Sequence, residues 1–288
     1  MKLTIGIPFY NAEATLADTI RSVFAQTFQD WELLLVDDGS TDRSLDIAKS
    51  VKDDRVRVIS DGVNRKVAYR HNQITANANG IYVGRLDSDD LISPFRFEKQ
   101  VAILDEFPNI DVVSTHYCAI IGENYPIGKG GHNRDKYIPI VLHGSMTCRK
   151  EWCIKNPYNP DVAYAEDSEM LLQAYYRGQF SSRNVRIINE PLYYYRFDNA
   201  ITAEKKIKGL RALRRRLIEN SFNTSGYWFI CKEYFKSFLK EAVVRFFDMI
   251  GKMNYFAKSR LVAMTPNEIE TVGKDIKTIR ETKVAGLD

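Results

Sequence analysis

The carboxylates of this sequence gather in three short groups whose spacing suits chemistry: Asp37-Asp38, Asp87-Ser88-Asp89-Asp90 and Glu166-Asp167. The middle group places three carboxylates within four residues, directly after the apolar run at 81–86. Like charges this close disfavour joint ionisation unless a cation compensates. Mn²⁺ or Mg²⁺ would do so, since both take oxygen ligands and readily complete their shell from a diphosphate. The same residues also suit a solvated turn ahead of a helix near Pro94, and spacing alone leaves both readings open. Glu166-Asp167-Ser168-Glu169 opens a helix. There the acids complement the positive helix end.

Elements must end where these groups stand. The apolar run at 3–7 reads as a buried strand stopped by Pro8, and Leu16, Ile20, Val23 and Phe24 then repeat at helical spacing behind Asn11, a candidate cap. A second run at 31–36 ends in Asp37-Asp38, and the turn chemistry at 38–42 opens a helix through Leu45, Ala48 and Val51. A third strand at 56–59, a helix over about 67–79 and a fourth strand at 81–86 follow. Strand–helix repeats with apolar, non-alternating strands predict an α/β, Rossmann-like fold: a mostly parallel sheet with helices on both faces. Right-handed crossovers put the strands' C-terminal ends along one edge. Pro8-Phe9-Tyr10, Asp37-Asp38 and the acidic triplet therefore meet at one crevice.

Further on, the pattern predicts a helix over 96–107, a strand over 111–121, a flexible loop at Gly128-Lys129-Gly130-Gly131, a helix over 166–176 and one or two strands over 185–195. Beyond Thr202 it is helical. Ile207, Leu210, Leu213 and Leu217 form one apolar stripe, and Phe235, Phe238, Leu239, Ala242, Val243 and Phe246 form another. Thr265-Pro266-Asn267-Glu268 has the form of a capping box with proline at the first helical position. The organisation read is an α/β domain over 1–202, with halves of about 1–110 and 111–202, followed by a basic, aromatic helical region over 203–288.

The net charge of +4 hides an asymmetry, because residues 204–260 carry 14 Lys+Arg against 5 Asp+Glu. No apolar run approaches the roughly 20 residues that span a bilayer, and the opening MKLTIGIPFYN has no signal-peptide form. The four cysteines lack metal spacing and read as reduced thiols.

Three segments, LTIGIPFYNAEATLADTIRSVFAQTFQDWELLLVDDGSTD (3–42), VGRLDSDDLISP (83–94) and AEDSEMLLQA (165–174), together resemble in order the family-2 glycosyltransferases with the GT-A fold. The resemblance covers roughly residues 1–200. It implies an enzyme that moves a sugar from a nucleotide diphosphate donor, a UDP-sugar, to an acceptor hydroxyl with a divalent metal. The nucleotide-sugar half would be 1–110 and the acceptor half 111–202. By position, Pro8 and Tyr10 would line the base, and Asp38 would bind uracil or ribose, with Asp37 alternatively a helix cap. Asp87 would meet ribose, or the metal through water, and Asp89 would ligate the metal. Asp90 would cap the next helix or orient these ligands. Asp167 would be the general base and Glu166 would bind or orient the acceptor. Single displacement would invert the anomeric centre. His143 would hydrogen-bond acceptor or phosphate, or serve structure alone, and Arg196 would assist the diphosphate.

The chain departs from the family pattern in places. Phe197 stands where a histidine often follows the tyrosine–arginine element. Lys66 and Arg70-His71-Asn72 replace a glycine and an Ala-Arg-Asn run, so that Lys66 and Arg70 either add charge near phosphates or are solvated helix residues. The segment 173–178 lacks the tryptophan and spacing of the processive QxxRW element, which favours one sugar per encounter. A sugar nucleotidyltransferase would carry a glycine-rich loop after its first strand, absent from PFYNAEATL. A non-catalytic sugar-nucleotide binding protein is at odds with the presence of Asp89 and Asp167. The seven basic residues of EKKIKGLRALRRRLIE (204–219) either contact an anionic membrane surface bearing a lipid-linked oligosaccharide acceptor or pack on the domain. Tyr227, Trp228, Phe235 and Phe238 suit core, membrane face or an interface with a second copy. No motif supports nucleic-acid binding. The expectation is a cytoplasmic enzyme of surface polysaccharide or glycolipid synthesis, peripheral on the inner face of the plasma membrane.

Overall fold

The computed structural model describes residues 1–130, 141–162, 164–197, 202–220 and 227–288. The first half alternates as its apolar runs demand: β1 (Leu3–Phe9), α1 (Leu16–Phe24), β2 (Trp31–Asp37), α2 (Ser44–Ser50), β3 (Val56–Ile59), α3 (Lys66–Asn77) and β4 (Tyr82–Arg85). A two-residue β5 (Leu91–Ile92), α4 (Arg96–Glu106), β6 (Val112–Ile121) and β7 (Tyr125–Gly130) follow. After a single 3₁₀ turn at His143–Ser145 come β8 (Thr147–Arg149), α5 (Lys150–Lys155), α6 (Glu166–Tyr176) and β9 (Val185–Arg196). The chain ends in α7 (Ala203–Asn220), α8 (Tyr227–Met249), α9 (Met253–Lys258) and α10 (Pro266–Glu281).

Among the described residues one sheet runs β3-β2-β1-β4-β8-β6-β9-β5, with β7 paired to β6. The first four strands are parallel, as their buried runs require. Beyond them the sheet is mixed: β8 is antiparallel to both β4 and β6, β9 is parallel to β6, and β5 is antiparallel to β9. Side chains alternate across β2. Leu33 and Leu35 join a core with Leu16, Ile20, Phe97 and Leu104, whereas Leu34 and Val36 join one with Ile74, Trp152 and Met170. Helices therefore cover both faces. The chain leaves β1 toward β2 and β3, then returns to β1's other side as β4. This reversal opens a crevice at the C-terminal ends of β1 and β4, where open α/β sheets bind ligands.

Several elements differ from expectation. Gly128 and Gly130 lie in β7, not in a loop, while Gly131 lies outside the described residues. A Cβ on Gly130 would stand 2.4 Å from the Tyr117 ring, and one on Gly128 2.8 Å from Leu261 Cβ. These glycines permit close packing. Asn11 does not cap α1. It adopts φ 49° and its Oδ1 accepts from the Thr41 amide at 2.8 Å, tying the β1 and β2 loops together. Nor is the region 203–288 of one piece. α10, opened by the expected Thr265/Glu268 capping box, returns to the sheet: Val272, Ile276 and Ile279 pack on Leu91, Cys118, Ile120 and Tyr194. Val284 reaches the core around β1 and β2. Among the described residues no helix is long and apolar enough to cross a membrane.

Candidate active site

The loops after β1, β2 and β4 converge, as their strand order requires, on a cleft of about 940 Å³. Pro8, Tyr10, Asp38, Asp87, Asp89, Glu166 and Arg196 all line it. Seven of the nine residues expected to act are thus brought together. Tyr10 is 49% exposed, which fits a ring free to pack on a planar ligand rather than a core residue.

In the cleft wall Asp38 is held by a buried ion pair and two backbone amides. The Asp38 carboxylate accepts from the Arg65 and Lys66 amides at 2.7 and 3.1 Å and from Arg70 Nε at 2.9 Å. Arg70 is fully buried and also reaches Asp61 at 2.6 Å. It is therefore neither a solvated helix residue nor a free phosphate contact, but the buttress of Asp38. Lys66 sits at φ 72°, its amide turned to the same carboxylate. Asp37 does not cap a helix. It accepts from the Ser40 amide and the Ser60 hydroxyl, fixing the turn after β2.

The acidic triplet divides its labour. Asp90 is buried, accepting from the Tyr193 hydroxyl at 2.7 Å and the Arg196 amide at 2.7 Å. It leads into β5 rather than a helix and ties β9 to the cleft. Burial and the charges of Asp89 and Asp87 push its pKa well up. Asp87 is pushed up to about 6, by burial and then by Asp89. The Thr15 and Thr19 hydroxyls both donate to the Ser88 carbonyl at 3.0 Å, clamping this loop onto the start of α1. Asp89 alone is exposed and makes no hydrogen bond or ion pair among the described residues.

This donor set fits a divalent cation of a particular kind. Among the described residues no three His, Cys, Asp or Glu side chains converge on one point. Mg²⁺ and Mn²⁺ need no such cage, being commonly held by one or two carboxylates and substrate phosphates. Asp89 is free to ligate, and a cation beside it would relieve the repulsion that raises Asp87.

Across the cleft, α6 begins after Ala165, which adopts φ 57°. Glu166 faces the cleft and is pushed up to about 7, by burial first and then by Asp167 and Asp87. Asp167 stands one residue further on, half-buried, its Oδ1 accepting from the Ser168 amide at 2.6 Å. Arg196 closes the cleft with Nε and Nη2 shielded from solvent and without a hydrogen-bond partner. Nη2 forms a long ion pair with Asp18 Oδ2 at 3.6 Å. A guanidinium with two shielded donors that make no hydrogen bond is suited to an anionic ligand such as a diphosphate. His143 is not among the residues lining the cleft. It faces Tyr158, whose hydroxyl meets Nε2, and packs edge-on to His71 at 5.2 Å.

Sequence reasoning missed Tyr193, which hydrogen-bonds both Asp90 and, at 3.3 Å, Asp87. The signal was the alternation of β9, which sends Tyr193 and Tyr194 to opposite faces. It also missed Thr15 and Thr19, whose hydroxyls gave no local sign of reaching 70 residues ahead to Ser88.

Residues 4–150, just over half of the chain, match the profile of glycosyl transferase family 2. The chain belongs to that family. Among the curated relatives of this family 2 chain, EpsE of Bacillus subtilis (strain 168) is 41% identical over 117 residues, which are 40% of the chain and 42% of EpsE, so less than half of that protein is spanned. WfgD of Escherichia coli, a UDP-Glc:alpha-D-GlcNAc-diphosphoundecaprenol beta-1,3-glucosyltransferase, is 27% identical over 213 residues, 73% of the chain and 82% of WfgD. Residues 1–349 of S. aureus TarS superpose with TM-score 0.65 at 19% identity, over 97% of the chain and 89% of TarS 1–349. The mannosyltransferase PcManGT from Pyrobaculum calidifontis, solved with GDP-Man and Mn²⁺, superposes with TM-score 0.62 at 14% identity, over 97% and 86%. The fold is GT-A, with C-terminal helices added.

Proposed function

We propose that this protein transfers one sugar, with inversion, from a UDP-sugar to a hydroxyl of a glycan or lipid-linked acceptor in surface polysaccharide synthesis. The observation that carries the reading is the single cleft in which Tyr10, Asp38, Asp87, Asp89, Glu166 and Arg196 meet. WfgD takes UDP-Glc and a diphosphoundecaprenol-linked sugar by its name, and TarS 1–349 has been solved with UDP-GlcNAc. Both support a UDP-sugar donor here.

In this reading Tyr10 packs on the base and the Asp38 loop, held rigid by Arg70, meets the uridine. Asp89 holds Mn²⁺ or Mg²⁺, with Asp87 beside it. The ion, when bound, neutralises charge developing on the diphosphate leaving group. Arg196 turns its idle donors to the same phosphates. Asp167 takes the acceptor hydroxyl's proton while Glu166 orients that hydroxyl from the cleft wall. Attack from the side opposite the leaving group inverts the anomeric centre. The basic helices, with Phe235, Leu239, Phe246 and Met249 exposed on α8, rest on the cytoplasmic face of an anionic membrane.

The test is a thermal-shift comparison of UDP, GDP and their sugars with Mn²⁺, Mg²⁺ or EDTA, in wild type and Asp89→Ala. Ligands that bind only the folded state raise the midpoint by mass action. A UDP-sugar shift that needs metal and is lost in Asp89→Ala is expected. Absence of any shift in the wild type would overturn the donor assignment.

A further inference from the structure

A second cavity, of about 490 Å³, opens between the first turn of α6 and helices α7, α8 and α9. Ala165 and Ser168 form its α6 wall, while Glu166 between them faces the cleft. Positions three apart share a helix face, so one helical turn separates the two chambers. The rest of the lining is aliphatic or aromatic, including Leu210, Val244 and Phe256, together with Lys206, Lys240 and Arg260. Among the described residues no carboxylate lines it. Two acids of α7 and α8 are already engaged: Glu241 by Arg211, Arg214 and Arg245, and Glu204 by Lys208. Among the described residues the three lining cations have no acidic partner. Burial and the nearby Arg260 charge lower the Lys206 pKa, a strain that an anion would relieve.

Gly209 sits in the interior of α7, where glycine weakens a helix by about 1 kcal/mol relative to alanine. Among the described residues a Cβ there would find only Ala165 Cβ within 4 Å, at 3.8 Å. Glycine at this point leaves the chamber open. Leu239 and Val243 line the cavity and are themselves 56% and 43% exposed, so its mouth continues into the apolar strip along α8.

We infer that this cavity binds the lipid-phosphate end of the acceptor: an isoprenoid diphosphate whose phosphates meet Lys206, Lys240 and Arg260 and whose chain runs out along α8. A sugar attached to that phosphate then reaches past the first turn of α6 to Glu166 and Asp167. The inference rests on the transferase reading above, from which its test is separable.

The probe is farnesyl diphosphate, titrated calorimetrically into the full chain, with farnesol and inorganic pyrophosphate as single-feature controls and UDP with Mn²⁺ titrated in parallel. Farnesyl diphosphate binds more tightly than either control. Gly209→Leu, which fills the chamber while favouring helix, weakens it about tenfold or more, and Arg260→Gln does likewise by removing one charge-assisted contact. UDP affinity is unchanged in both variants, which also shows that they fold. Farnesyl diphosphate binding no better than the controls, or equally well to wild type and both variants, overturns the assignment. If UDP fails to bind while farnesyl diphosphate shows the expected pattern, the lipid site stands and the donor reading falls.

Discussion

Replacing Arg70 by methionine tests whether the Asp38 wall of the cleft is a rigid ion-paired structure. The substitution keeps the length of the stem and removes a guanidinium that reaches Asp38 at 2.9 Å, Gln73 at 2.8 Å and Asp61 at 2.6 Å. Asp38, only 8% exposed, would keep just the Arg65 and Lys66 amides. Removing one partner of a buried pair costs about 3–5 kcal/mol, because the remaining charge is stranded. The two amides retain part of the stabilisation, and the solvated Asp61 contact adds little. The expected loss is about 3 kcal/mol, at the lower end. With an unfolding entropy near ~2.1 cal/mol/K per residue, this lowers the midpoint of the chain by about 5 °C. Urea unfolding followed by tryptophan fluorescence, together with calorimetry, measures it. UDP affinity should fall as well, since the Asp38 loop loses its brace. Asp38→Asn combined with Arg70→Met should recover a substantial part of the stability. An Arg70→Met protein within 0.5 kcal/mol of wild type, the scatter expected of surface changes, would refute the buttress and return Arg70 to the role of a loose phosphate contact.

Asp167→Asn should keep UDP binding and lose roughly 10²–10⁴-fold in transfer, read as UDP release in the presence of acceptor; transfer at the wild-type rate removes it as the base. Glu166→Gln should abolish a titration near pH 7 from the pH profile of UDP binding, because burial and neighbouring acids push that carboxyl up to about 7; an unaltered profile would mean the group does not sense the cleft. Burial, then the Arg85 charge, holds His71 and His143 far below their usual pKa, so both stay neutral in the fold and take up protons only on unfolding. Their stabilisation is present above about pH 6.5 and is lost as pH falls, at about 1.4 kcal/mol per pH unit for each ring. His71→Asn and His143→Gln should each remove about 1 kcal/mol of the stability lost between pH 6.5 and 5.5, where the unfolded ring is only part-way through its titration, the cleft acids contributing equally to variant and wild type; an unchanged slope refutes it. Gly144→Ala should cost about 1–3 kcal/mol and weaken UDP binding, because its Cβ would stand 2.4 Å from the Tyr193 hydroxyl and 2.8 Å from Asp87 Oδ2; a variant that melts and binds as wild type would show this packing to be soft.

The parallel half of the sheet was legible because strands buried on both faces write themselves as unbroken apolar runs, and their ends then named the cleft residues. The remainder depended on partners distant in sequence. β7 read as a loop because its glycines look like flexibility, when they make room for Tyr117 and Leu261. Nothing local in α10 says that Val272, Ile276 and Ile279 complete the sheet's core rather than stack on α7 or α8. Arg70 and Arg196 were visible as charges, but burial decides their roles, and burial is a tertiary property. The side chains of Leu213 and Leu217 in the first helical stripe, and those of Tyr227 and Trp228, lie outside the described residues.

The path of the chain after β9 carries one more implication. Helices α7 to α9 leave the sheet there, and the chain re-enters through the Lys129–Val262 bridge before α10 is woven into the core. The Lys129–Glu268 ion pair at 2.6 Å and the Arg21–Asp288 pair at 2.8 Å stitch down the C-terminal segment. The helical stretch is thus an excursion anchored at both ends. Changes confined to it should leave the cleft at the ends of β1, β2 and β4 with its geometry intact.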